Sequence, residues 1–414
     1  MKAWSPAAAL LAVVTAASAA PQEILIRSAR VYTVSDGVRD RTDVLVRDGK
    51  IVAVGENLKT SPGVAVVDAQ GQPLTPGIFG GLSQIGADEI SLEPSTVDDS
   101  LTFKAPDAEQ QWRPEFDITL AFDPQSTLVP VARIEGITWT VLTPVAGGAI
   151  MAGQGAAVTL DGRPDAVIPD SRALFVSLGS EGKKLSGGSR AGLYMLLDQA
   201  IREARSKGPP GEKTLLHPAG REVLSRYLSG GRVVFEVERA SDILQVIAIA
   251  RKERIKPIIF GGSEAWRVAR LLAGEGVPVI LNPLRDLPYD FDRLGSRLDN
   301  AALLQRAGVL IAFSPDDGHD ARTIRQLAGN AVAHGLPWDA ALAAITRNPA
   351  EIFGLGAAHG RIATGQSADL VLWDGDPLEI TTTAKQVWIN GRAIEMRSRQ
   401  TELRDRYLKA AAEK

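Results

Sequence analysis

Cysteine is absent from the 414 residues and histidine is scarce, at four. Without thiols there is neither a disulfide framework nor a cysteine for lipid attachment, so a hydrophobic core alone must hold the fold. Four histidines scattered along the chain leave little material for a multi-histidine metal centre. Charge of one sign is lacking as well: 46 basic residues against 49 acidic ones leave a net of −3. No basic stretch gathers beside aromatics, which argues against a nucleic-acid partner. Long apolar runs are missing, because the N-terminal one is interrupted by Ser5-Pro6 before it and by Thr15 and Ser18 after it. An anchoring helix needs about 20 apolar residues, so no membrane anchor is expected. No internal repeat or low-complexity tract stands out.

That N-terminal run has the form of an export leader. Lys2 supplies a positive start, Ala7–Val14 an apolar stretch, and Ala17-Ser18-Ala19 a small-x-small cleavage pattern. Cleavage after Ala19 would send the mature chain to the periplasm or outside the cell. With 45% hydrophobic residues, the remainder can bury one large domain and one small one.

Short β-branched runs follow at Ile24–Val34, Val44–Val46, Ile51–Val54 and Ala65–Val67, separated by turns such as Arg47-Asp48-Gly49-Lys50. The same vocabulary returns in Leu370–Trp373, in Asp374-Gly375-Asp376-Pro377, and in Gln386–Ile389 before Asn390-Gly391. Two β-rich ends around a different middle predict one composite sheet domain built from both termini. In the middle the period changes. Val233–Val237 reads as a strand, and Ile243, Val246, Ile247 and Ala250 after it recur at helical spacing. Further strands are expected at Ile137–Leu142, Val158–Leu160, Leu174–Ser177, Ile258–Phe260, Val277–Leu281 and Val309–Phe313, with helices over Ala321–His334 and Trp338–Ile345. Strands alternating with helices mean βα units, and their number approaches the eight of a closed barrel. The α/β fold class expected is therefore a (β/α)8 TIM-type barrel with a composite β-sandwich domain, in preference to an open doubly wound sheet. The expected boundaries are leader 1–19, β-domain 20–75 and 359–396, barrel 76–358 and a helical tail 397–414.

Two segments carry a family resemblance. Val44–Gly55 followed by Pro76-Gly77-Ile78-Phe79 resembles the opening of the amidohydrolase superfamily in its imidazolonepropionase-like branch. The closing stretch is similar to it too, through Asn348-Pro349-Ala350, Gly360-Arg361-Ile362, Gly365 and Ala368-Asp369-Leu370-Val371-Leu372-Trp373. The resemblance implies hydrolysis of C–N bonds by water activated on zinc at the C-terminal ends of barrel strands. It also implies a Pro-Gly, two apolar residues, Asp-x-His-x-His signature on the first barrel strand. Here that stretch reads Pro76-Gly77-Ile78-Phe79-Gly80-Gly81-Leu82-Ser83-Gln84, with Leu82 and Gln84 in the histidine positions. Leucine has no lone pair to donate, and an amide oxygen is a poor zinc ligand. Glu236 stands at a later ligand position and Gly261 or Gly262 at another; Asp316 matches the aspartate that handles the proton in active relatives. No metal ligand set is therefore expected, and the zinc of the family is not expected to be bound.

The candidate site comprises Asp316 as catalytic base, with Gln84, Glu236, Glu264 and His319 as binding residues. His319 joins because Asp316, Asp317 and Asp320 surround it on one loop. Carboxylates at Glu236, Glu264 and Asp316 would suit magnesium, calcium or manganese if they converged. His217, His334 and His359 read as solvated or capping residues. Ser189 superficially matches a nucleophile elbow, but no strand precedes it, so it reads as a helix N-cap. The glycines of Gly147–Gly155 lack the spacing of a phosphate loop. Two functions follow: a hydrolase of a small amide, cyclic amide or dipeptide, or a non-catalytic binding protein, including a homo- or hetero-oligomeric partner of an active homologue.

Overall fold

The computed structural model describes residues 23–101, 111–208 and 214–412; the leader expected over 1–19 lies outside them. Five strands precede the helical part: β1 (Glu23–Tyr32), β2 (Val38–Arg47), β3 (Lys50–Gly55), β4 (Ala65–Asp68) and β5 (Pro73–Pro76). Nine follow among helices: β6 (Ile78–Ser83), β7 (Ile137–Leu142), β8 (Met151–Gly155), β9 (Ala157–Thr159), β10 (Ala173–Ser177), β11 (Arg232–Val237), β12 (Lys256–Gly261), β13 (Val279–Leu281) and β14 (Ile311–Phe313). Near the C-terminus come β15 (Leu370–Trp373), β16 (Ala384–Ile389) and β17 (Arg392–Ala393).

Strands from both ends share one sheet, ordered β17-β16-β15-β5-β1-β2-β3 with β4 also on β1. The junction is β15 against β5, with Val371 opposite Thr75. The indole N–H of buried Trp373 donates to Thr75 Oγ1 at 2.9 Å across that junction, which gives the indole its one polar partner. Hydrogen bonding makes this one eight-stranded sheet and not the two sheets of a sandwich. The reason lies in β1. Its register shifts between Ile26 and Val31, Ser28 takes φ +54°, the first half pairs with β4 and the second with β5. A bulge that turns a strand toward a second partner carries one sheet around a corner where two would otherwise be needed.

The middle is a TIM-barrel-type α/β fold, but not a ring of eight parallel strands. β10 to β14 run parallel and form a six-stranded sheet with β8, while β6, β7 and β9 form a three-stranded one. The departure is the run expected as a parallel stave at Val158–Leu160: β8 lies antiparallel to β10, and β9 antiparallel to β7. Only Ala156 separates β8 from β9, so a single run spans the gap between the sheets. Gly155 makes this wedge fit, because a Cβ there would stand 1.8 Å from the Leu142 carbonyl oxygen. On the other side β6 meets β14 through a side chain: the Leu82 N–H donates to Ser314 Oγ at 3.0 Å.

Helices cover the strands as their periodicity predicts. In Ala240–Glu253 the residues Ile243, Val246, Ile247 and Ala250 are buried. Arg325, on the helix Ile324–Ala333, fastens the barrel to the sheet domain. It donates to the carbonyls of Pro377 (3.1 Å) and Thr382 (3.0 Å), and its guanidinium lies 4.7 Å from the Trp373 ring centre. No helix among the described residues is long and apolar enough to cross a membrane.

The wedge gives a stability test. Gly155→Ala must push the Leu142 backbone aside and should cost about 3 kcal/mol or more. Gly274→Ala, with open space at its Cβ position, should be neutral or stabilising by up to about 1 kcal/mol. Urea unfolding of the two variants checks this, and equal effects would contradict the close approach.

Candidate functional site

The C-terminal ends of the parallel strands open onto a cavity of about 370 Å³. Gln84 follows β6, Glu236 ends β11 with Val237, and Asp316 follows β14; all three line it. Leu82 from β6, Phe175 and Ser177 from β10, Phe260 from β12 and Pro315 line it too, together with the loop Thr143–Ala149. Topology explains the convergence: adjacent parallel strands present their last residues at one rim. Two expected binding residues lie elsewhere. Glu264 is absent from the lining; its Oε2 accepts the N–H of Ala240 at 3.0 Å and so caps the helix that follows β11. His319 also stands outside. Its ring nitrogens lie 3.2 Å from Asp317 Oδ1 and 3.3 Å from the Glu89 carbonyl, which fixes it on the loop, and these two acceptors hold its pKa up against burial.

Asp316 is not a free carboxylate. Arg285 grips both of its oxygens, Nη2 to Oδ1 at 2.6 Å and Nε to Oδ2 at 3.1 Å. The other terminal nitrogen of Arg285 reaches Glu238 Oε1 at 2.9 Å, where Arg293 Nε also arrives at 2.9 Å. Glu238 is buried, and its second oxygen accepts the N–H and the hydroxyl of Ser263 at 3.0 and 2.7 Å. The pairing is self-reinforcing: burial disfavours the Arg285 charge, but Asp316, Glu238 and Glu236 more than offset it and raise its pKa.

Glu236 differs. Burial in the cavity wall pushes its carboxyl above the usual glutamate range, with Glu238 adding to the shift; the Ser177 hydroxyl, Arg285 and Arg293 oppose it. No ion-pair partner lies within 4.0 Å of it among the described residues.

Zinc does not fit these donors. Leu82 offers nothing, and Gln84, whose amide nitrogen donates to the Thr143 carbonyl at 3.0 Å, could offer zinc only a neutral amide oxygen, a poor ligand beside imidazole or thiolate. Gly261 takes φ +92°, and a Cβ there would meet Glu238 Oε1 at 2.8 Å, so the buried carboxylate fills the space a side chain would use. Among the described residues no three His, Cys, Asp or Glu side chains converge as metal ligands. The carboxylates meet a guanidinium where a metal centre would need them free.

The remaining motifs resolve as structure. Ser189 caps the helix Arg190–Arg205, accepting the Gly192 N–H at 3.3 Å. His217 and His334 stand at helix ends. His359, expected to be solvated or capping, instead pairs with a carboxylate: its Nδ1 lies 3.0 Å from Asp369 Oδ2, an aspartate that also accepts the Asn390 N–H at 2.8 Å. Missed from the sequence were Glu238, Arg285 and Arg293. Glu238 carried a faint signal, two residues from Glu236 and so on the same face of the strand. The arginines sit in an irregular loop without periodicity.

Arg285 should therefore matter more than Asp316 to stability. Arg285→Met leaves buried Glu238 short of one charged donor and should cost roughly 3 kcal/mol, whereas Asp316→Ala at a half-exposed site should cost under about 1 kcal/mol. Chemical denaturation measures both, and a neutral Arg285→Met would contradict the bridging role.

Comparison with known proteins agrees with this architecture. Residues 233–394 match the amidohydrolase family. Sixty residues are 48% identical to an amidohydrolase, tasK, of Hapsidospora irregularis, covering 14% of this chain and 6% of that one. Seventy-five residues are 44% identical to imidazolonepropionase of Chromobacterium violaceum, covering 17% and 18%. The matched stretches thus span a small part of these relatives. The crystal structure of an amidohydrolase from Thermotoga maritima superposes with a TM-score of 0.79 at 26% identity, over 90% of this chain and 100% of the other. A prolidase solved with N-methylphosphonate-L-proline shares the fold at a TM-score of 0.55 and 16% identity. With its β-flanked barrel-type fold and its closing motifs, the chain is similar to the amidohydrolase family over residues 233–394, and over 75 residues to an imidazolonepropionase.

Proposed function

We propose that this chain is an exported hydrolase that cleaves a C–N bond of a small amide, cyclic amide or dipeptide held in the barrel-mouth cavity, and that it does so without zinc. The observation that carries the reading is Glu236, a carboxyl in the cavity wall, raised by burial and free of an ion pair. Raised carboxyls suit general-base work because their ionised form takes a proton more readily near neutral pH. Glu236 removes a proton from water as its oxygen adds to the amide carbonyl carbon. The same proton then passes to the departing nitrogen as the C–N bond breaks, yielding acid and amine. Asp316, read from the sequence as the base, would have to leave Arg285 to accept a proton; its role here is to hold that guanidinium at the rim. Export rests on the pattern of Lys2, Ala7–Val14 and Ala17-Ser18-Ala19.

One observation favours a second reading, a non-catalytic binding protein or partner of an active homologue. The Arg285 bridge ties up the aspartate that the family resemblance gives to proton handling. Glu236→Gln separates the two: under the first reading turnover falls, and under the second there is none to lose and only affinity changes.

The hydrolytic reading predicts that Glu236→Gln lowers amide or dipeptide turnover by about 10²-fold, the usual scale for losing a general base. In the wild type the rate should rise with pH through a pKa above that of an ordinary glutamate, near 4.3, and the glutamine variant should lack this limb. Undiminished turnover in Glu236→Gln would exclude Glu236 as the base. Stability carries the opposite sign. A carboxyl raised in the folded state binds more protons there than in the unfolded chain, so stability is full below the unfolded pKa and falls as pH climbs through the folded one. Glu236→Gln should therefore melt higher than wild type at neutral pH, with the difference closing toward pH 4. A difference that does not change with pH would contradict the shift.

A further inference from the structure

We propose that the barrel-mouth cavity selects small organic cations: ligands with an apolar body and a protonated amine or guanidine that docks on the Glu236 carboxylate. The proposal rests on the reading of this cavity as a ligand site and not on hydrolysis, since a Glu236 paired to a ligand cation is no freer to take a proton than Asp316 beside Arg285.

Among the described residues no lysine, arginine or histidine lines the cavity, while Glu181, Glu236 and Asp316 do. The first and last of these are already matched. Lys184 Nζ stands 2.5 Å from Glu181, and Arg285 holds Asp316 through both oxygens. Arg293, the second guanidinium at the rim, is spent on Glu238, with Asp290 at 4.0 Å beyond it. Among the described residues the cations nearest Glu236, Arg285 and Arg293, are thus directed at other carboxylates. The Ser177 hydroxyl is the neighbour that most favours the Glu236 charge, and the carboxylate lines the open volume. An unmatched carboxylate in such a wall gains most from a ligand that brings the missing positive charge.

The surroundings specify what carries that charge. Leu82, Phe175, Leu185, Phe260 and Pro315 give the wall an apolar character, and about 370 Å³ holds a body the size of a substituted benzene ring. Phe175 and Phe260 add ring faces that attract cations. An inorganic cation is poorly served by the same wall, since it needs several oxygen donors and the described residues bring no such set together. An anion would meet Glu236 without a compensating base on the lining.

Isothermal titration calorimetry on the full mature chain tests this with three isosteric probes: benzylammonium, benzyl alcohol and benzoate. Benzylammonium should bind at least about 10-fold tighter than benzyl alcohol, the worth of about 1.4 kcal/mol from one shielded ion pair, and benzoate should be weakest. Glu236→Gln should abolish the preference for the cation while still binding benzyl alcohol, which shows the variant pocket is folded. Raising the salt should weaken the cation alone. An equal preference in both proteins, tighter binding of benzoate, or no binding of benzylammonium to the wild type would overturn the proposal. The outcome is independent of hydrolysis: cation selectivity without turnover of any amide would remove the hydrolytic reading alone, and turnover of neutral amides without cation selectivity would remove this one alone.

Discussion

Arg285 is the residue around which the barrel mouth is arranged. Its guanidinium spans Asp316 on the loop after β14 and Glu238 just past β11, two staves of the barrel that do not touch. A planar cation with donors on two edges can satisfy two carboxylates at once, which an ammonium on a flexible stem does less well. Glu238 is buried deeply enough that its charge must be met by donors, and it is met by Arg285, Arg293 and Ser263 together. Once those contacts are made, the position of Asp316, the need for glycine at 261 and the isolation of Glu236 all follow. A second buried ion cluster stands beside the first. Asp292, on the same loop as Arg293, is bound by Arg190 and by Ser180 Oγ at 2.7 Å, and Arg190 also reaches Asp242 at 3.0 Å. The loop between β13 and the next helix is thereby fastened to the rim at several points, though Leu287, Tyr289 and Phe291 on it are exposed.

How far the sequence revealed this depends on the range of the interaction. The β-rich ends were legible because alternation and Asp-Gly or Asn-Gly turns are local, and the helix over Ala240–Glu253 because its apolar positions recur within a few turns. Ser189 was legible as a cap for the same reason. The antiparallel run of β8 and β9 was not. Direction within a sheet is decided by which neighbours a strand meets, and Gly155 works only against the carbonyl of Leu142, a residue on another strand. The single bent sheet in place of a sandwich hangs on a left-handed Ser28, which composition does not advertise.

The site divides along the same line. Gln84, Glu236 and Asp316 could be named because each sits at the end of a recognisable strand, where a barrel brings side chains together. Glu264 and His319 look equivalent to them in one dimension; in three, one caps a helix and the other is held by Asp317 and Glu89. The guanidinium that completes the carboxylate cluster comes from an irregular segment, and its partners lie 31 and 47 positions away. No spacing rule connects residues so placed. The scarcity of histidine was visible at once, but what compensates the carboxylates was not.

Arginine, not zinc, neutralises the carboxylates Asp316 and Glu238 at this rim. Elemental analysis of the purified mature protein, before and after incubation with zinc and dialysis, tests that directly. Well under one equivalent of zinc per chain in both samples is the predicted result. One or two equivalents that survive a chelator would contradict it, because Leu82, Gln84 and Gly261 cannot supply such affinity while Arg285 holds Asp316 and Glu238.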